Sequence, residues 1–430
     1  MPYASFLRFA RFRTLLRYAF MTVSLAGAFS LQRLWPGLES LGPLAEPRFV
    51  LGAVMAVLAV LGWCGGAARI CLDRSLATMF ILFVTLHGLV ACSYFWAFDP
   101  WYAPEQLTDL SILLLTMVSF LGLFADEPLA CVRIVIHIAV ALALVVGVMW
   151  AATGFEPGAY GIGGIGAARL FGAAILALLF IRYRTGRVST SLLALPFIAG
   201  IIVSGSRAAL LALLPALVVI WLGRRRIAGG AVHGYSRELL GAALVMIGAG
   251  TLALTPLGAD LFEAAKLALL GPPGAGASSE GVYLADRDVI FAHALNTFLE
   301  SPVSGLGIGT YRGPFGEEYP HNLLLAYAVD AGVLALLMLV GLLAGFLVLA
   351  ARARAPLELF AVAIALFTFV ASLFAGSYYD ARMIWFMLAA LALESRRRAT
   401  GGVLDTGGSS VQVGDDVRRL RNRQLRRDFQ

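Results

Sequence analysis

The stretch that decides the fold runs from Leu323 to Leu349, LLLAYAVDAGVLALLMLVGLLAGFLVL, and is entered through Pro320-His321-Asn322. It carries one charged side chain, Asp330. A helix of that length rises about 40 Å, more than a hydrocarbon core of roughly 30 Å requires. Comparable apolar runs recur along the chain. The expected spans are 16–35, 49–66, 76–97, 108–124, 134–153, 167–181, 188–204, 208–222, 239–256, 323–349, 358–375 and 379–394. Composition agrees, with 60% hydrophobic and 14% charged residues and a mean hydropathy of +0.84. Soluble domains carry about 25% charge, so a soluble globular class is excluded. The expected fold is an all-α polytopic membrane protein with about 12 transmembrane helices and one long loop.

Orientation follows from the arginines, because positively charged loops are retained on the cytoplasmic side. With the N-terminus inside, the inner segments hold 25 of the 33 basic residues, which places both termini in the cytoplasm. The net charge of +7 therefore reflects flanks lying on anionic membrane lipid, and a nucleic-acid partner is not expected. Arg8, Arg11, Arg13 and Arg17 precede the first run, where Ala26-Gly27-Ala28 has the small residues of a signal-peptide cleavage site. The apolar run continues past that point, which favours an uncleaved span. Cys64, Cys71, Cys92 and Cys131 have no ligand spacing and imply neither a disulfide framework nor a metal site.

Four regions result: spans one to nine within 1–256, an outer loop with an amphipathic helix over 257–322, spans ten to twelve within 323–394, and a basic cytoplasmic tail over 395–430. Long loops in compact proteins are usually functional. From Asp286, a plausible N-cap, the residues Ile290, Phe291, Ala294, Leu295 and Phe298 recur at helical spacing and predict an amphipathic helix over 286–299. Arg287 falls on its apolar face, where a guanidinium needs an anion. Gly305, Gly307 and Gly309 follow and permit tight turns or close approach of a ligand.

Three patterns are weaker. Gly161, Gly163 and Gly166 have dinucleotide-fingerprint spacing but no preceding strand. Asp286 and Asp288 would point to different sides of a helix. His87, His137 and His293 stand alone, and packing or a local hydrogen bond is expected for each.

His321 differs in context. Pro320 pushes Tyr319 out of helix, so the histidine stands beside the first turn of the tenth span, facing the outer loop. Arg207 sits in the tight Ser204–Arg207 hairpin between spans seven and eight, on the face where the charge bias disfavours arginine. A histidine exchanges a proton near neutral pH, and guanidinium groups hold a diphosphate through paired donors. Together they suit transfer to an acceptor hydroxyl: His321 as base, Arg207 and Arg287 on the departing diphosphate, with neither metal nor cofactor. Arg312 has two readings, a contact to substrate phosphate and a solvated loop charge.

In order and spacing, "SGSRAALLAL", "RDVIFAHAL", "ESPVSGLGIGTY" and "PHNLLLAYAVDAG" resemble the O-antigen ligase and polymerase superfamily over residues 188–350. The resemblance implies a helical bundle of GT-C-like type. It implies a glycosyltransferase, with the ligase favoured, that moves O-antigen from undecaprenyl diphosphate to the lipid A core in the periplasm of a bacterium, at the inner membrane. By match its functional positions are Arg207, Arg287 and His321, and Ser206, Asn322, Arg312, Gly305, Gly307 and Gly309 become candidate substrate contacts. Asp330-Ala331-Gly332 replaces the family's frequent Glu-x-Gly, and Ala335 departs from the ligase pattern, so a polymerase remains the alternative. A carrier or lipid flippase is the more distant one. Carriers place polar groups at the midplane and show two similar halves, and neither pattern occurs here.

Overall fold

The computed structural model describes residues 2–26, 47–64, 74–152, 164–185, 189–227, 287–376 and 378–404. Among them every regular element is a helix: α1 (Pro2–Ala26), α2 (Pro47–Cys64), α3 (Arg74–Cys92), α4 (Ala103–Phe124), α5 (Ala130–Ala152), α6 (Gly164–Thr185), α7 (Ser189–Leu192), α8 (Leu195–Val203), α9 (Arg207–Ile227), α10 (Arg287–Glu300), α11 (Leu323–Arg352), α12 (Pro356–Ser372) and α13 (Arg382–Leu404). Short 3-10 turns follow α3 at Ser93–Trp96 and precede α13 at Tyr379–Ala381. Among the described residues, five stretches are long and apolar enough to cross a membrane: Leu76–Trp96, Ala103–Phe124, Ala130–Ala152, Gly164–Thr185 and Leu323–Arg352. The chain is a helical, multi-pass membrane protein.

Described helices overlap the expected spans other than the ninth; the ninth, 239–256, and 27–35 of the first lie outside the described residues. The seventh, 188–204, is not one helix. It divides at Leu193-Ala194 into α7 and α8, with Pro196 at the start of α8. Proline lacks the N–H and its ring opposes the carbonyl four residues back, so the helix restarts there. The nine residues of α8 span only about 14 Å, well short of a bilayer core.

Helix α6 lies deep in the bundle, with 67% of its apolar stretch buried against 28% for α11. It packs on α5, α8, α9 and α12. Ala167, Ala168, Gly172, Ala173, Ala174 and Ala177 are buried along it, and small side chains let neighbouring backbones approach where lipid supplies no hydrophobic drive. An aromatic cluster joins α1, α4 and α13, with Phe120 and Phe386 stacked at 4.9 Å.

At one end of the bundle α1 is latched to the turn between α4 and α5. Arg13 forks onto Asp126 at 2.8 and 2.7 Å, Arg17 reaches Asp126 at 2.7 Å and Glu127 at 3.0 Å, and Arg17 Nε donates to the Leu123 carbonyl at 2.8 Å. Cations there also meet the carbonyl end of α4. Residues up to Leu393 and from Glu394 form two compact units, and in the second Glu394 accepts both Nε and Nη2 of Arg397 at 2.9 Å.

Helix α11 is broken inside. Ala331 (φ −135°, ψ 16°) and Gly332 (φ 73°, ψ −166°) leave helical geometry, and three bonds bridge the gap to residues that precede the helix. Leu306 N donates to Val329 O at 2.7 Å, Gly307 N to Asp330 O at 3.0 Å, and Val333 N to Pro302 O at 2.8 Å. Such unwinding about 12 Å along a span is tolerated because the loop, not lipid, takes up the freed groups.

The isolated histidines are accounted for locally. His87 Nδ1 lies 2.7 Å from the Phe83 carbonyl, which can only accept, so Nε2 accepts the Tyr327 hydroxyl at 2.8 Å. His137 pairs with the Tyr18 hydroxyl at 2.9 Å, and His293 Nε2 with the Arg312 carbonyl at 3.0 Å. Of the cysteines, Cys92 and Cys131 are free among the described residues. Gly161, Gly163 and Asp286 lie outside the described residues, and Gly166 is inside α6.

Candidate active site

Asn322 builds the entry to α11. Its backbone is extended, its Oδ1 accepts from Leu324 N at 3.0 Å and Leu325 N at 3.1 Å, and its Nδ2 donates to the Leu373 carbonyl at 2.9 Å. This is the side-chain cap that a helix start needs, with the amide spare to tie down the end of α12. Asn322 is therefore spoken for by the fold.

His321, immediately before the cap, has φ 53°, and it is the non-glycine residue with positive φ among those described. Left-handed backbone costs a non-glycine residue roughly 1–2 kcal/mol, and such strain gathers at functional sites. The ring is half-buried and lies 4.4 Å from the Tyr319 ring, tilted by 55°.

Arg207 opens α9. The chain turns into it through Gly205 at φ 74°, with Ser204 Oγ donating to Ile201 O at 2.6 Å and Ser206 N donating to Ser204 Oγ at 3.3 Å. Ser206 is buried and Arg207 half-buried. The start of α6 abuts this turn so closely that a Cβ at Gly164 would lie 2.9 Å from the Ser204 carbonyl.

Arg287 is the first described residue of α10, one turn before buried Ile290. The buried stripe of this helix is Ile290, Ala294 and Thr297, and Leu295, expected on the apolar face, is 47% exposed. Ala294 and Phe298 pack against Tyr311, Leu325 and Val329, which brings the helix of Arg287 onto the first turns of the helix of His321. The three candidate catalytic residues thus stand at the starts of α9, α10 and α11. Helix N-termini attract anions through their free N–H groups.

The glycines of the 301–322 loop approach the protein itself. Gly305, Gly307 and Gly309 have φ of 69°, 93° and 74°, and a Cβ on them would come within 2.6 Å of the Asp330-Ala331 backbone, 2.6 Å of Ala97, and 2.2 Å of Ala103 N respectively. Tight packing, without a ligand, accounts for glycine at each.

What the loop packs on is the segment between α3 and α4. Ser93 Oγ accepts Ile308 N at 2.8 Å, Gln106 Oε1 accepts Gly309 N at 3.0 Å, and Gly309 O accepts Tyr102 N at 3.2 Å. Trp96 and Trp101 donate their ring N–H to Ser304 O and Tyr311 O at 3.1 and 3.2 Å. Arg312 pairs with Asp99 at 2.6 Å and lies 5.2 Å above the Trp101 ring, which gives it a structural partner although its side chain is 63% exposed. Burial, and then the Glu317 carboxylate, push the Tyr311 phenol up; burial and Glu318 do the same to Tyr102. Both phenols stay protonated at physiological pH.

A second cluster was not legible in the sequence. Arg169 of α6 pairs with Asp380 at 3.0 Å and donates to the Ala375 carbonyl, while Arg382 Nε donates to Ser24 O at 2.5 Å and Nη1 to Tyr379 O at 3.0 Å. Through Leu373 and Ala375, the segment between α12 and α13 connects Asn322 to Arg169. Tyr378 donates its hydroxyl to Asp330 and to the Ala326 carbonyl, fastening the same segment to α11.

Residues 192–340 match the family model for O-antigen ligase. The resemblance drawn from the motifs holds over that segment, and the family comprises membrane enzymes of ligase or polymerase type. No match is found among curated proteins. The family segment contains Ser206, Arg207, Arg287, Arg312, His321 and Asn322 together with the three loop glycines. It leaves out Ser93, Gln106, Arg169, Leu373 and Asp380, so much of the matched segment's support is supplied by the rest of the chain.

Proposed function

We propose that the chain is an O-antigen ligase of the bacterial inner membrane, with twelve spans, both termini cytoplasmic and the active site periplasmic. It transfers glycan from undecaprenyl diphosphate to a hydroxyl of the lipid A core. The observation that carries this reading is the placement, inside the matched segment, of Arg207, Arg287 and His321 at three helix starts, with His321 held in strained backbone beside a capped helix.

The chemistry follows from those side chains. His321 takes the acceptor hydroxyl's proton as that oxygen attacks the anomeric carbon. The bond to the diphosphate breaks with its electrons on the departing phosphate oxygen, where Arg207 and Arg287 meet the growing charge. The helix N-termini add to that field. The displacement is single and inverting, and it draws on no metal. Ser206 lines the approach of donor and acceptor, whereas Arg312 is held by Asp99 and Trp101.

The test is the lipopolysaccharide pattern of a deletion strain complemented with variants. Loss of a ligase leaves bare core with polymer retained on the polyprenyl carrier, whereas loss of a polymerase leaves core capped with one repeat unit. His321→Ala and Arg207→Ala should each reproduce the deletion pattern at normal membrane abundance, with transfer reduced by about 10²–10⁴-fold. Full transfer by both variants would refute the assignment.

A further inference from the structure

The segment that carries the 301–322 loop has a second face. On α3 the exposed positions Ile81, Val84, Thr85 and Cys92 follow one helical stripe, and half-buried Gly88, with nothing within 4 Å of a Cβ built on it, continues that stripe. Phe95, three residues after Cys92, extends it beyond the helix and is 86% exposed, and Phe98 is 97% exposed. Val303, next to the Trp96 contact at Ser304, adds 76% exposure. Trp96 and Trp101 have half-open rings whose N–H groups are bonded to the loop. The stripe lies on a helix apolar enough to cross a membrane, so what covers it along its length is lipid. Rings that are apolar on one side and bonded on the other belong at the headgroup boundary.

We infer that Phe95 and Phe98, flanked by Trp96, Trp101 and Val303, insert into the headgroup and acyl boundary of the bilayer, on the outer leaflet in the proposed topology. They act as an anchor that fixes the depth of the 301–322 loop. The lipid-facing stripe of α3 runs into this patch without a break, and the opposite side of the same segment holds the loop through Ser93, Ala97, Tyr102 and Gln106. A lipid-linked diphosphate lies at that same depth, so the anchor sets the height of His321 relative to the reacting group. That last consequence rests on the proposed transferase reading, whereas the insertion itself does not.

The test uses the full chain in phospholipid nanodiscs, with a nitroxide on Phe98→Cys in a background of Cys64→Ser, Cys71→Ser, Cys92→Ser and Cys131→Ala. Collision with oxygen should exceed collision with a water-soluble nickel chelate by about threefold or more, as expected of an interfacial site. Equal or greater collision with the chelate overturns the insertion, and dipolar broadening between labels would overturn it in favour of a second copy as the occupant. Phe98→Trp, with the native cysteines kept, should add quenching by lipid brominated near the headgroup beyond that of the seven native tryptophans, and absence of added quenching overturns it. For the activity consequence, Phe95→Ser combined with Phe98→Ser should slow transfer about tenfold in nanodiscs and less than about twofold in detergent. Equal loss in both media, or no loss in either, overturns the anchoring role while leaving the transferase assignment standing.

Discussion

The Ser204–Arg207 turn and the 301–322 loop each bring a candidate catalytic group to a helix start, but they are held in opposite ways. The turn is tied by its own neighbours, Ile201, Ile202 and Ser204. The loop is tied by residues 203 to 215 positions away, Gln106 and Ser93, and by the break in α11. Arg207 therefore depends on local geometry, whereas His321 inherits its place from a distant scaffold. Damage to that scaffold should reach His321 before it reaches Arg207.

The largest expected effect is at Gly309. A Cβ there would lie 2.2 Å from Ala103 N at φ 74°, so Gly309→Ala should cost on the order of 3–5 kcal/mol and strip transfer activity, read as Tm and rate on purified protein. Gly205→Ala is the counterpart in the turn. Its φ is also 74°, but nothing lies within 4 Å, so the cost should be only about 1–2 kcal/mol, that of left-handed backbone. Equal losses in the two variants would erase the distinction between local and distant support.

Ser93→Ala leaves the Ile308 N–H without its acceptor inside the packed loop. The expected destabilisation is about 1–3 kcal/mol, with kcat reduced while Arg207-dependent donor binding persists. A loss confined to donor binding would show that Ser93 supports the wrong half of the site. Arg312→Ala should be mildest. Its pair with Asp99 is exposed on both sides, and such pairs contribute about 0–1 kcal/mol, so Tm should hold. A tenfold rise in KM for the donor would instead move Arg312 from the scaffold to the substrate.

Much of the helical layout could be read in advance, because apolar runs announce themselves by length alone. Leu323–Arg352 and Arg287–Glu300 fall close to where periodicity put them. The division of 188–204 at Leu193-Ala194 was signalled by Pro196 but masked by the unbroken apolar run around it. At the site, His321 and Arg207 stood out as polar residues at span ends. The partners of the loop did not: no periodicity in 93–106 says that Ser93 and Gln106 will receive N–H groups from 308 and 309. The one available signal was joint, three spaced glycines followed by Asp330-Ala331-Gly332. Read together, they describe a backbone pressed into a helix gap, not a cradle for ligand.

The break at Ala331-Gly332 also imposes an order of assembly. Residues 302–307 leave the ribosome first, yet the carbonyls of Val329 and Asp330 and the N–H of Val333 that complete them are made later. Until α11 is threaded into the membrane and packed beside α3, those groups face an apolar medium with no acceptor or donor. The 301–322 loop thus cannot close before α11 is made, and a chain stalled after 322 would lack the groups of Val329, Asp330 and Val333 that complete it.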